Sequence, residues 1–206
     1  MLDAALTLFA QQGIAATSLN AIAKQAKVTP ALVHYYFGSR EQLVEIVLSE
    51  RIVPVVDQLS QELTQYPAAP LQAIYALTQR MLSAMQESPW LPPLWVREVL
   101  CEGGLLRAYL LEHIAPGMAK KVRQLASAAQ QNGQLNAELD PRLLIVSLIG
   151  LTLFPLAAAP IWQQLPGYKS ISTEQLTQHM LALLAHGIET NSGEKKHGAR
   201  AGQIFK

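Results

Sequence analysis

The chain is short of charge, of aromatic rings and of cysteine. Of its 206 residues 15% are charged and 6% aromatic, while 50% are hydrophobic. Sixteen basic residues against fifteen acidic ones leave a net charge of +1, so no globally basic surface exists to hold a polyanion. One cysteine, Cys101, excludes an intramolecular disulfide, fits a reducing cytoplasmic setting, and is expected to be a small buried residue. No stretch alternates polar and apolar residues for long enough to suggest a strand. Catalytic signatures are missing as well: there is no Gly-x-Ser-x-Gly, no phosphate-cradling glycine loop and no dinucleotide fingerprint. The five histidines, His34, His113, His179, His186 and His197, lack the spacing of a helical metal site. No catalytic residue, metal or cofactor is therefore assigned. His179 and His186, two turns apart on one helix, read as polar spots at an interface. The start of the chain has no basic run, and Asp3 interrupts its apolar residues, so no leader is expected there.

What is abundant is apolar surface. Half-hydrophobic composition exceeds what one monomer of this length needs for its core, which points to an apolar interface, an apolar pocket, or both. The extreme case is residues 143–163, which carry no charge. That length could nominally span a bilayer. Pro155 and Pro160 interrupt it, and Ser147, Gly150 and Thr152 recur along it. A helix buried between two subunits explains the same composition and is the preferred reading over a membrane-associated protein.

Proline, glycine and capping residues divide the rest into helices. Ser39-x-x-Gln42 is a capping box that opens a long helix, kinked at Pro54 and closed by residues 67–70. A helix over 71–85 follows. Residues 89–93 form a rigid break before a short helix through Leu100, and Gly103-Gly104 precedes another through His113. Pro116 opens a helix to Gln131, ended by Asn132-Gly133, and Asp140-Pro141 opens the apolar segment. Ser172-x-x-Gln175 caps a last helix to Gly187. From residue 191 a polar, Gly-containing tail with Lys195, Lys196, Arg200 and Lys206 is expected to be flexible. Arg97, Glu98 and Glu102 read as a surface ion-pair set.

Residues 17–40 carry the most information. Thr29 is a natural N-cap and Pro30 is pre-set for the first helical position. Advancing 100° per residue puts Thr29, Val33 and Phe37 on a packing side, and Ala31, Leu32, His34 and Tyr35 on the other. A solvated face normally carries Lys, Glu and Gln. This face suits a groove: Ala31 or Leu32 can meet a thymine methyl, and His34 and Tyr35 can bond phosphates. The preceding helix has Thr17 or Ser18 as its cap and Leu19, Ile22, Ala23 and Ala26 as its buried stripe. Between Thr17 and Arg40 the charges are Lys24, Lys27 and Arg40, all positive. Pattern alone reads as a helix-turn-helix in preference to an ordinary helical hairpin.

Leu2-Asp-Ala-Ala-Leu-Thr-Leu-Phe9, Gly13, Thr17-Ser18, Ile22-Ala23, Val28-Thr29, Tyr36-Phe37 and Arg40-Glu-Gln-Leu43 resemble the DNA-binding domain of the TetR/AcrR family of transcriptional regulators. The resemblance implies an all-α protein. A three-helix helix-turn-helix domain over 1–47 would be followed by a helical ligand-binding and dimerisation domain over 48–190. It implies a cytoplasmic homodimer on a palindromic double-stranded operator, a repressor released by a small, largely apolar effector, and no membrane partner. Aligned with the family's DNA-contacting positions are Thr17, Ser18, Asn20, Pro30, Ala31, His34, Tyr35, Tyr36 and Arg40. For Tyr36, packing and contact both stay open. Several positions depart from the family's habit. Lys27 stands where glycine is usual in the turn, at a cost of roughly 1 kcal/mol if left-handed. Ala31 replaces a glycine, His34 a tyrosine and Arg40 a lysine. Relatives usually carry a basic stretch before the first helix; either this protein lacks that arm or the sequence starts after it.

The resemblance also places an effector pocket between Tyr75 and Met118. Tyr75, Met81, Met85, Trp90, Trp95 and Tyr109 would line it, and Arg97, Glu98 or His113 would meet a polar group of the ligand. The dimer contact falls to the last two helices, with Ser147, Gly150, Leu151 and Phe154 on one and Leu176, Met180, Leu183 and Leu184 on the other. A helical DNA- or protein-binding module without ligand gating is the alternative.

Overall fold

The computed structural model describes residues 1–189, and the expected tail with His197 lies outside them. Among the described residues the chain is helical, with a single isolated bridge between Leu135 and Glu189. The first three helices are α1 (Leu2–Gln12), α2 (Leu19–Ala26) and α3 (Pro30–Phe37). Their stripes meet as the periodicity requires: Ala5, Leu6, Phe9, Ile14, Ile22, Ala23, Val33 and Phe37 form one buried core, joined by Leu43 and Val47. Burying Phe9 completely is worth about 1.5–3 kcal/mol by itself. Thr29, placed by phase on the packing side, is instead exposed, because its hydroxyl is committed to capping α3 through the Leu32 N–H at 3.3 Å.

The capping box at Ser39 forms as expected, Ser39 Oγ accepting from Gln42 N and Gln42 Oε1 from Ser39 N. It opens α4 (Arg40–Val47), a π-helical turn (Leu48–Ile52) and α5 (Val53–Gln65) in unbroken succession. The chain continues through α6 (Pro70–Glu87), α7 (Leu91–Trp95) with a π-helical turn (Val96–Leu100), and α8 (Leu106–Tyr109) with a third such turn (Leu110–Ile114) leading into α9 (Ala115–Gln131). The expected break at Pro116 does not occur. Pro54 and Pro116 each follow a π-helical turn by two residues. A proline lacks an N–H and crowds the carbonyl four residues back. The extra residue of a π turn shifts the ladder there, so the helix bends rather than ends.

Three helices complete the second domain: α10 (Leu144–Ala157), the short α11 (Ala159–Trp162) and α12 (Thr173–Ile188). A second core gathers Ile74, Leu77 and Met81 of α6, Val122 and Ala126 of α9, Leu144 and Leu148 of α10, and Leu184 and Ile188 of α12. No helix of the described residues is long and apolar enough to cross a membrane. The apolar segment is not buried all round within one chain. Leu144, Leu148 and Leu153 point inward, while Leu143, Val146, Phe154 and Ile161 are exposed. Thr152 faces the core, its hydroxyl bonded to the Leu148 carbonyl, opposite Ser147 and Gly150. Cys101 is exposed, contrary to the buried role expected of it: Val96–Leu100 ends there in extended backbone, which carries the thiol off the packed face.

Candidate DNA-reading face and ligand cavity

The outer face of α3 is open. Tyr35 is 83% exposed and Tyr36 59%, with their rings edge to face at 5.4 Å. Pro30, Ala31 and His34 are exposed beside them, and Val33 and Phe37 pin the opposite side. Tyr36 is thus a surface residue rather than a packing one. Asn20 and Ser18 are exposed at the start of α2, where Ser18 Oγ accepts from Ala21 N at 3.1 Å. The turn between α2 and α3 has Lys27 at φ 55°, ψ 42°, the only non-glycine residue with positive φ among the described residues. Val28 N reaches Ala23 O and Lys27 N reaches Lys24 O, the paired bonds of a Schellman end with lysine in the glycine position.

Two expected contacts change. Thr17 is 1% exposed; its hydroxyl donates to Gly13 O at 2.7 Å and accepts from Gln12 Nε2 at 3.1 Å. Its side chain therefore fastens the α1–α2 loop and is not on the open surface. Arg40 is exposed, but its Nη1 donates to Ala15 O at 2.8 Å, so it also ties α4 to that loop. Its Nε lies 3.8 Å from Glu41 Oε1 at the surface.

The second domain contains a cavity of about 350 Å³, within the range of small-molecule sites. Met81, Met85, Trp95, Tyr109 and Met118 line it as anticipated. The α4–α5 helix adds Leu48, Ile52, Val55, Val56 and Leu59, and α10 adds Ile145, Val146, Ile149 and Leu153. The first of these sets was visible as an i, i+3, i+4, i+7 stripe. The second was not, because α10 is apolar on every side. No charged residue lines the cavity. Five of the anticipated residues lie elsewhere. Tyr75 bonds Glu189 Oε1 at 2.8 Å, Trp90 packs on the core of α1–α3, and Arg97 and His113 are exposed. Glu98 is buried and held by backbone, so the surface ion-pair set expected of Arg97, Glu98 and Glu102 does not form. Trp95 Nε1 is buried without an acceptor, the only such side-chain atom among the described residues.

The expected interface residues divide by face. Ser147, Gly150, Phe154 and Leu183 are exposed, and Leu151 and Leu176 half-buried. Met180 and Leu184 are consumed by the protomer's own core at 1% and 5% exposure, since their face of α12 packs inward. The outward face of α12 carries His179, Leu183 and His186 instead.

A helix-turn-helix head with an open recognition helix, mounted on a helical domain that encloses an apolar cavity, is the architecture of a ligand-responsive DNA-binding regulator. The family profile "Bacterial regulatory proteins, tetR family" matches residues 1–47. The chain is 32% identical over 96 residues to the HTH-type transcriptional regulator BetI of Rhizobium meliloti (strain 1021), a match spanning 47% of each chain. It is 23% identical over 198 residues to the HTH-type transcriptional repressor KstR2 of Mycolicibacterium smegmatis, covering 95% of this chain and 92% of the relative. Its fold matches the ketosteroid transcriptional regulator KstR2 of Mycobacterium tuberculosis with a TM-score of 0.73 at 20% identity, over 92% of this chain and 93% of that one. Residues 1–47 thus form a DNA-binding domain of the tetR family, and the chain as a whole shares the fold of that solved regulator.

Proposed function

We propose that the protein is a homodimeric, cytoplasmic repressor that grips a palindromic operator and leaves it when a small apolar ligand occupies the cavity. The observation that carries this reading is the pairing of an exposed groove-suited face on α3 with a cavity of about 350 Å³ in the domain behind it. Ser18, Asn20, Pro30, Ala31, His34, Tyr35, Tyr36 and Arg40 form the DNA contact set, base edges falling to Asn20, Pro30 and Ala31 and phosphates to the rest. Two such heads need two half-sites related by a dyad. The dimer face is the α10 stripe of Leu143, Val146, Ser147, Gly150 and Phe154 together with Leu183 of α12. Its apolar residues stand in open solvent on one protomer.

The ligand is uncharged in the part that enters. The wall offers no counter-ion, and an unpaired buried charge costs on the order of several kcal/mol. The test begins with DNA selected from a random pool by the purified protein. An inverted repeat is expected, and a pool that converges on no repeat refutes the operator reading. Neutral lipophiles are then screened by quenching of Trp95 fluorescence, with and without operator. An inducer must lose affinity in the presence of operator by the factor by which it weakens operator binding. If every binder is indifferent to operator, the ungated module is correct.

A further inference from the structure

Glu98 lies in the π-helical turn that follows α7 and is 4% exposed. Its Oε1 accepts the N–H of Ile14, in the α1–α2 loop of the head, at 2.8 Å. Its Oε2 accepts the N–H of Leu105, just ahead of α8, at 3.0 Å. No cation pairs with it among the described residues; Arg107 spends its guanidinium on the carbonyls of Val99, Leu100 and Cys101. A buried carboxylate without a cation is expensive, and these two charge-assisted bonds offset that cost. The backbone around it is shaped to fit. Gly13 holds φ +87°, and a Cβ there would come within 3.2 Å of Glu98 Oε1. A Cβ on Gly104 would collide with Glu98's own carbonyl.

The turn that carries this carboxylate is also cavity wall. Trp95 and Val99 flank Glu98 in the chain and line the cavity, as does Leu106 next to Leu105. Leu48, Ile52, Leu94, Val99 and Leu106 each belong both to the cavity lining and to the hydrophobic cluster of the head. Nothing but one layer of side chains therefore separates a ligand from the head, and Glu98 is the polar clasp across that layer.

We infer that Glu98 is the positioning residue that seats the head on the ligand-binding domain, and that a ligand acts by displacing its turn and freeing the Ile14 N–H. This rests on the gated-repressor reading given above. The latched arrangement is the DNA-competent one. A ligand that swells the wall at Trp95 and Val99 must move the carboxylate between them, and the head then loses its fixed orientation for the operator.

The test compares the full-length parent with Glu98→Ala and Glu98→Gln. Glutamine keeps one acceptor oxygen but turns an NH₂ toward the other backbone donor, and preserves volume if alanine fails to fold. Three readouts are taken: hydrogen exchange by segment, affinity for the selected operator across a salt series, and affinity for the neutral fluorophore N-phenyl-1-naphthylamine with and without operator. Faster exchange should be confined to residues 1–47 and to the 96–106 segment that loses the Leu105 bond, with 115–131 and 144–157 unchanged. Operator affinity should fall by at least about five-fold, with the salt slope of the parent, because no phosphate contact is removed. Fluorophore binding to the free protein should stay within about two-fold, while its antagonism with operator shrinks toward none. Unchanged exchange in the head with parental operator affinity overturns the assignment. So does faster exchange spread over the whole chain, which would make Glu98 a general stability residue. If the parent's fluorophore affinity is indifferent to operator, the gating reading fails for that probe, while exchange and operator affinity still decide the role of Glu98.

Discussion

Lys27 tests the helix-turn-helix geometry most sharply. It sits at φ 55°, ψ 42°, where a Cβ crowds the following carbonyl and costs an L-residue about 1–2 kcal/mol. Glycine removes that strain, but its freer unfolded chain returns about 0.5–1 kcal/mol. Lys27→Gly should therefore stabilise the protein by about 0.5–1 kcal/mol. Lys27→Ala keeps the Cβ and the strain, so it should sit at or below the parent. The two variants lose the same positive charge, so the difference between them isolates the backbone. At roughly 2–4 °C per kcal/mol for a chain of this size, glycine should melt about 1–4 °C above alanine. Thermal denaturation followed by circular dichroism, repeated in urea, measures it. The operator affinities of the two variants should agree with each other, because neither side chain reaches a phosphate. Alanine equal to or more stable than glycine would mean that the turn is not left-handed at Lys27, and the orientation of α3 argued from it would fail.

Four further outcomes are expected. Tyr35→Ala should weaken operator binding on every sequence while leaving the slope of log K against log salt as in the parent, because a neutral phenol on a phosphate displaces no counterion; parental affinity would remove Tyr35 from the contact set. Phe154→Glu alters a side chain 67% exposed on α10, so the protomer should keep its helicity while light scattering reports a monomer at micromolar concentration; a dimer would move the interface elsewhere. A carboxylate should bind the cavity at least about five-fold more weakly than its neutral methyl ester, because the wall offers no counter-ion; equal affinity would mean that the ligand's polar end stays outside the cavity. Burial, then the hydrogen bond and the charge of Glu189, raise the Tyr75 pKa well above its ordinary value. A raised pKa contributes stability that is complete below the unfolded value and lost as pH rises through the folded one. One of the six tyrosines should thus ionise late in an alkaline absorbance titration, and Tyr75→Phe should delete that step.

Much of this was legible without coordinates, and for local reasons. The caps at Ser18, Thr29, Ser39 and Ser172 act within three residues, so their signatures are read directly along the chain. The stripes of α1, α2 and α3 follow from a period of 3.6, and the strained turn at Lys27 from the resemblance, which puts this lysine where glycine is usual. Proline was read less well. Pro116 looked like a boundary, yet a π-helical turn absorbs it, and whether a helix bends or ends at proline depends on what packs against it. The aromatic-rich segment pointed to a pocket, and Met81, Met85, Trp95 and Tyr109 do line one.

Which residues meet across the chain was decided by tertiary structure alone. Residue type said that Arg97, Glu98 and His113 were polar spots near a pocket. It carried no trace of a bond between Glu98 and Ile14, 84 positions away, which buries one of the three while the others stay in solvent. Likewise Met180 and Leu183 are equally apolar by sequence, and only the packing of α12 on α6 sends the first into the protomer's core and leaves the second for a partner. The sequence determined the helices, their caps and the open face of α3, because those depend on neighbours within a turn. The cavity wall, the outward stripes and the clasp between the two domains depend on how helices cross, and only the folded chain decides that.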